Sequence, residues 1–254
     1  MEVSSMAHKP IKRIVPGAKT AVILCHGIMG SPDHFRHFIP LIPEDWSVCC
    51  LLLDGHGKGV MDFARSSMKA WKAQVFAQLQ ELMDTHEQVI FVAHSMGTLF
   101  AFQAAVQYPD QIPQLFLLGS PTRPFVRPST AVNSVLMALG YVNPKNKSAM
   151  DMRACCSIRT DWMLWRYLLW IPRFLELFGE IRKTRKLIPR ITVPTQVFQS
   201  KYDELVHFSS RHDFENHPFI RCTCLYEKNS GHFGYGDGDL ALLQACFSDM
   251  LHSI

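Results

Sequence analysis

The chain has 254 residues, 48% of them hydrophobic and 19% charged, with a net charge of +4. This length and balance suit one sizeable α/β domain with room for an insertion and exclude a disordered chain. The charge is too small to indicate a nucleic-acid partner. Met1-Glu2-Val3-Ser4-Ser5 lacks the apolar core of a secretory signal, and the apolar stretch from Trp162 to Phe178 is interrupted by Arg166, Pro172, Arg173 and Glu176, unlike a membrane span.

Residues 1–18 are polar and basic and read as a loosely held arm with a short strand near Ile14. Thr20 to Cys25 is an apolar strand running into His26-Gly27-Ile28-Met29-Gly30. Pro32 to Leu41 reads as a short helix, and Trp46 to Leu53 as a second buried strand ended by Asp54-Gly55-His56-Gly57. From Ser67 to His86 apolar residues recur at helical spacing: Trp71, Val75, Phe76, Leu79, Leu82 and Met83. Val89 to Ala93 is a third strand, followed by Ser95 and a helical pattern, and Gln114 to Leu118 is a fourth. Continuously apolar strands alternating with helical patterns predict a mostly parallel sheet covered on both faces.

The alternation stops at about residue 121. Residues 121–190 carry thirteen Lys/Arg and four Asp/Glu, a net +9 that leaves −5 for the remainder. Prolines, methionines and the cluster Trp162, Trp165, Tyr167 and Trp170 also set this stretch apart, and it reads as an inserted helical cap. The expected organisation is a core of residues 1–120 and 191–254 with a cap of 121–190. The alternation resumes with strands at Thr195–Gln199 and Ile220–Tyr226, and helices near Val206–Glu215 and Leu240–Leu251.

The eight cysteines include adjacent pairs in or beside apolar runs, with no C-x-x-C and no zinc spacing. They read as reduced core thiols, which points to a cytoplasmic location.

The chemistry centres on His94-Ser95-Met96-Gly97. A strand, a sharp turn and a helix make a nucleophile elbow, whose strained serine needs small neighbours two positions away; Ala93 and Gly97 meet that need. The helix N-terminus offers positive potential and free N–H groups to an oxyanion. A serine hydroxyl needs a base, and the base an orienting acid. Asp203 follows the Thr195–Gln199 strand and His232 follows the last strand, so Ser95, Asp203 and His232 gather at one sheet edge. The plainer readings are an N-cap for Ser95 or Asp203 and a loop residue for His232, and Glu204 competes with Asp203 as the acid. The Met96 N–H and the Ile28 N–H are the candidate oxyanion donors. His26 reads as holding its loop in place, Asp54–Gly57 as a turn around a buried histidine, and His34 and His37 lack partners for a metal site. No nucleotide, flavin or metal motif is present, so no cofactor is expected.

Taken together, His26–Gly30, Asp54–Gly57, His94–Gly97, Ser200–Val206 and Ser230–Phe233 resemble the α/β-hydrolase fold superfamily, and within it the carboxylesterase and monoacylglycerol-lipase-like group. The match spans nearly the whole chain in the family's order. The resemblance implies a sheet of about six to seven strands with a cap after the strand near Leu118, Ser95 as nucleophile, His232 as base, Asp203 as acid, and Ile28 and Met96 as oxyanion donors. Ala93 and Thr98 depart from positions that are often glycine.

The expected activity is cleavage of short- to medium-chain esters or monoacylglycerols through an acyl-enzyme. The same residues could act on thioester, amide or carbon–carbon bonds or transfer an acyl group, and a binding protein with idle machinery is the remaining alternative. In the cap, Trp162, Trp165 and Leu169 share a helical face. They either pack the cap on the core or line an acyl tunnel, with Trp165 and Leu169 as the substrate-binding candidates. The run Arg182-Lys183-Thr184-Arg185-Lys186 is a solvated face or a contact to an anionic membrane surface.

Overall fold

The computed structural model describes residues 8–254. Seven strands form one sheet: β1 (Ile11–Arg13), β2 (Thr20–Cys25), β3 (Ser47–Cys50), β4 (Gln88–His94), β5 (Leu115–Leu118), β6 (Thr195–Ser200) and β7 (Ile220–Leu225). Their order across the sheet is β1-β3-β2-β4-β5-β6-β7, and only the β1–β3 pairing is antiparallel. The short strand expected near Ile14 is β1, which ends at Arg13 and ties part of the arm to the sheet edge; residues 1–7 lie outside the described part.

The strands are apolar throughout because both faces are covered. In β2, Ala21, Ile23 and Cys25 point to one core, with Phe91, Ala93 and Leu117 of its neighbours. Val22 and Leu24 point to the other, with Ile90, Val92, Phe116 and Phe198. The first core is closed by α1 (Val60–Arg65), α2 (Met68–Met83) and α3 (Met96–Gln107), the second by α7 (Asp237–His252) and the Phe35–Phe38 segment. Ser67 starts α2 as its N-cap, its hydroxyl accepting from the Ala70 N–H at 3.1 Å.

Pro32–Leu41 is two short 3₁₀ turns, Pro32–Phe35 and Ile39–Leu41, rather than one helix. Pro40 supplies no backbone N–H to carry a helix across the segment. Residues Phe208–Asp213 are likewise 3₁₀.

All helices between β5 and β6 belong to one insertion: α4 (Pro128–Ala138), α5 (Lys147–Cys155), a 3₁₀ run Leu164–Trp170, α6 (Ile171–Arg185) and a last 3₁₀ turn Ile188–Arg190. Its second half is bolted to the core. Gln103 of α3 donates to Glu180 and Thr184, each at 2.9 Å, and Arg173 pairs with Glu176 at 2.6 Å while donating to the Ala64 carbonyl at 2.7 Å. Leu177, Ile181 and Ile188 complete the first core. Among the described residues no helix is long and apolar enough to cross a membrane, and all eight cysteines are unpaired.

Candidate active site

The loops after β2, β4, β5, β6 and β7 meet at the C-terminal edge of the sheet, where ligand-binding groups of open α/β sheets gather. Ser95 sits between β4 and α3 at φ 51° and ψ −122°, a strained backbone for a residue with a side chain. Two glycines make room for it. A Cβ on Gly97 would fall 2.2 Å from the Cys25 carbonyl oxygen, and one on Gly27 would fall 2.6 Å from the Ser95 Cβ. Ala93 does not disturb the turn: it is fully buried and pairs with Cys25 and Leu117 in the sheet. Thr98, the other departure, closes the turn through its hydroxyl, which donates to the Ser95 carbonyl at 2.7 Å.

Asp203 and His232 are both buried and paired, with Nδ1 of His232 2.8 Å from Oδ2 of Asp203. Since an ionised carboxylate only accepts, Nδ1 carries the hydrogen, and Nε2 keeps its lone pair. The other Asp203 oxygen accepts from the N–H groups of Leu205 and Val206, each at 2.7 Å. The two readings of Asp203, turn cap and acid, therefore coexist, one oxygen each. Burial alone would lower the pKa of His232, but the charges of Asp203 and Glu204 outweigh it and raise the pKa above the ordinary 6.5.

Glu204 holds the histidine by its main chain instead. Its carboxylate accepts from the His232 N–H at 2.6 Å and from the Ser148 hydroxyl of α5 at 2.5 Å. Gly231 is required there, since a Cβ would fall 2.5 Å from the Glu204 carboxylate. Sequence reasoning weighed Glu204 only as a competing acid and missed Ser148. Their separation along the chain left no local signal.

The ring of His94 stacks on that of His34 at 4.2 Å and lies 4.6 Å from that of His232. His94 Nε2 donates to the His232 carbonyl at 2.9 Å, so Ser95 is preceded by a residue that anchors the His232 loop. Burial drives both His34 and His94 far toward the neutral form, His34 to about 3. The structure records no hydrogen bond from the Ser95 hydroxyl to His232; in resting sites this contact is commonly long and tightens around substrate.

Met96 opens α3, where first-turn N–H groups have no intrahelical partner. Ile28 lies in the turn closed by the Gly30 N–H on the Gly27 carbonyl at 3.0 Å. His26 holds that turn as expected: Nδ1 donates to the Gly27 carbonyl at 2.8 Å, and Nε2 accepts from the Leu53 N–H at 3.1 Å. His56 is buried against Phe63 and Trp71, with its Nδ1 on the Asp54 carbonyl. The insertion touches the same loop, because Ser157 donates through its N–H to Met29 and through its hydroxyl to Gly30, at 3.0 and 2.6 Å. Trp165 and Leu169 are exposed, at 59% and 41%.

A sequence profile of the alpha/beta hydrolase fold matches residues 20–149, about half of the chain. The chain belongs to the α/β-hydrolase family. Among curated relatives, it is 29% identical over 119 residues to the karrikin insensitive 2 receptor IA of Petunia hybrida, a match covering 44% of this chain and 42% of the receptor. It is 23% identical over 142 residues to a serine hydrolase-like protein of Mus musculus, covering 51% and 44%. The chain thus spans less than half the length of these relatives. Among solved structures, one from the work on LipS and LipT, two metagenome-derived lipolytic enzymes, superposes with a TM-score of 0.71 at 20% identity, covering 98% and 99% of the two chains. The monoacylglycerol lipase of Paleococcus ferrophilus gives 0.67 at 15%, covering 97% and 99%. At these identities the structural likeness shows the α/β-hydrolase fold alone.

Proposed function

We propose that this α/β-hydrolase cleaves carboxylic esters, of short- to medium-chain acids or monoacylglycerols, through an acyl-enzyme. The observation that carries the reading is the strained Ser95 at the apex of β4 and α3, on the same sheet edge as a buried Asp203–His232 pair at 2.8 Å. In this reading Ser95 attacks the ester carbonyl, and Nε2 of His232 takes its proton. Asp203 and Glu204 stabilise the imidazolium that forms, in keeping with the raised pKa of His232. The N–H groups of Met96 and Ile28 receive the oxyanion. His232 then protonates the leaving alcohol, and water returns the acyl group as the acid.

Residues 121–190 act as a cap in this reading, with α5 against the loops that carry Ile28 and His232. The relative named as a receptor favours a second reading, in which the region around Ser95 binds a small molecule and turnover is incidental.

The test is hydrolysis of p-nitrophenyl esters of increasing acyl length by wild type and by Ser95→Ala. Turnover that falls by roughly 10⁴-fold or more in the variant supports the acyl-enzyme. Wild-type turnover no faster than the variant's overturns it and leaves the binding reading.

A further inference from the structure

Apolar exposure among the described residues is concentrated in one place. Among the described residues twenty-one large hydrophobics face solvent, and fifteen of these lie in residues 121–190. Within the 3₁₀ run and α6, part of that set forms a line. Three-residue steps along the 3₁₀ run bring Trp165, Leu168 and Ile171 into register, and α-helical steps continue the line through Leu175 and Phe178. These five residues are 45–64% exposed. The line is about 20 Å long from the rises of the two helix types.

One turn beyond Phe178 the same face of α6 becomes basic, with Arg182 and then Arg185 and Lys186 exposed. Phe178, Arg182, Arg185 and Lys186 together line a cleft of about 570 Å³, whose other wall includes Pro124 and Pro189. Asp213 in the cleft offsets part of this charge through ion pairs with Arg123 and Arg185.

We propose that this ridge and its basic end dock on an anionic phospholipid surface. Apolar side chains including tryptophan, continued by cations at headgroup reach, are the makeup of a segment that lies in a membrane interface. Charge selects the occupant. The insertion carries +9 and the rest of the chain −5, so a lipid surface bearing negative charge attracts this side and not the opposite one. A second copy of the chain would bring two +9 surfaces together. The opposite side of α6 is already anchored through Gln103, Glu180, Thr184 and Arg173, so the ridge stands on a fixed base. Docking does not rest on the reading of the Ser95 site.

Co-sedimentation with phosphatidylcholine vesicles, with or without phosphatidylglycerol, tests it. Wild type and Ser95→Ala are both used, so that hydrolysis plays no part in the result. Both are expected to sediment with the anionic vesicles, to be released by added salt, and to ignore phosphatidylcholine alone. Arg182→Ser/Lys186→Ser is expected to weaken partition about 25-fold at low salt, about fivefold for each cation. Leu168→Ser/Leu175→Ser is expected to weaken it at least tenfold. All four changes are at exposed positions, and an unchanged melting temperature confirms the fold. Failure to sediment with any vesicle, equal sedimentation with both vesicle types, or variants that sediment like wild type overturn the proposal. So does a wild-type dimer by light scattering that Leu168→Ser/Leu175→Ser dissolves, which would seat a second copy on the ridge.

Discussion

The sheet core and the insertion use apolar residues in opposite ways. In β2, β4 and β5 each strand residue points to one of two covered faces, and all of Ala21–Cys25, Val89–Ala93 and Leu115–Leu118 are buried. In the insertion, helices press one side onto the core and leave Trp165, Leu168, Ile171 and Leu175 in solvent. The core is packed to the limit of a single methyl group, whereas the outer insertion has space. The candidate sites follow the same division: the strained serine and the buried Asp203–His232 pair belong to the crowded region, and the ridge to the open one.

The sharpest way to break this contrast is a methyl group at Gly97. Its Cβ would meet backbone at 2.2 Å, which no rotamer change can relieve. Gly97→Ala is expected to cost about 3 kcal/mol or more, lowering the melting temperature by roughly 6–12 °C and removing Ser95-dependent turnover. An unchanged thermal scan would mean that α3 does not press on β2 as described.

Glu204 joins the two regions, and its charge can be removed with little change in shape. Glutamine can still accept from the His232 N–H and donate to the Ser148 hydroxyl, so Glu204→Gln should lose less than about tenfold in kcat/KM. The pH profile separates charge from shape. In the proposed mechanism the neutral form of His232 is the base, so activity is expected to rise with pH through a midpoint above 6.5 in the wild type. Loss of one of the two nearby carboxylates moves that midpoint downward. A midpoint that stays in place would show that Glu204 acts through the main chain alone.

The smallest expected effect comes from the open region. Gly179 lies inside α6 with nothing beyond the helix's own adjacent backbone within 4 Å of where its Cβ would stand. Gly179→Ala should stabilise by up to about 1 kcal/mol, raising the melting temperature by about 2–4 °C. A loss of stability would show that this face of α6 is covered in solution.

The core was largely legible in the sequence because its strands are short runs of uninterrupted apolar residues closed by glycine, and because the turn around Ser95 needs small residues at fixed offsets. His26 was legible for a related reason: a histidine at the mouth of a glycine turn has carbonyls to hold. The helical insertion was less so. Over the seven residues of the 3₁₀ run, periods of 3 and 3.6 diverge by about a third of a turn, so the reading of Trp162, Trp165 and Leu169 as one face, which rested on α-helical spacing, gives way to a run that aligns Trp165 with Leu168. The hydroxyl of Ser148 and the carboxylate of Glu204 meet only through tertiary packing across a sequence separation of 56. Thr98 looked like a departure from a glycine, and its hydrogen bond to Ser95 emerges only once the turn is built.

Ser157, Cys155 and Ser148 fasten one stretch of the insertion to three separate loops of the core, at Gly30, Phe233 and Glu204. Such a piece cannot be exchanged like a fitting. A chimera that imports another protein's insertion at residues 121–190 would leave the Met29 and Gly30 carbonyls without the Ser157 donors and take the Ser148 hydroxyl, one of two donors, from the Glu204 carboxylate, on both sides of Ser95. Transplanting specificity in this scaffold therefore means moving the insertion with the loops at 27–30 and 231–235, or confining changes to α4 and the segment before α5.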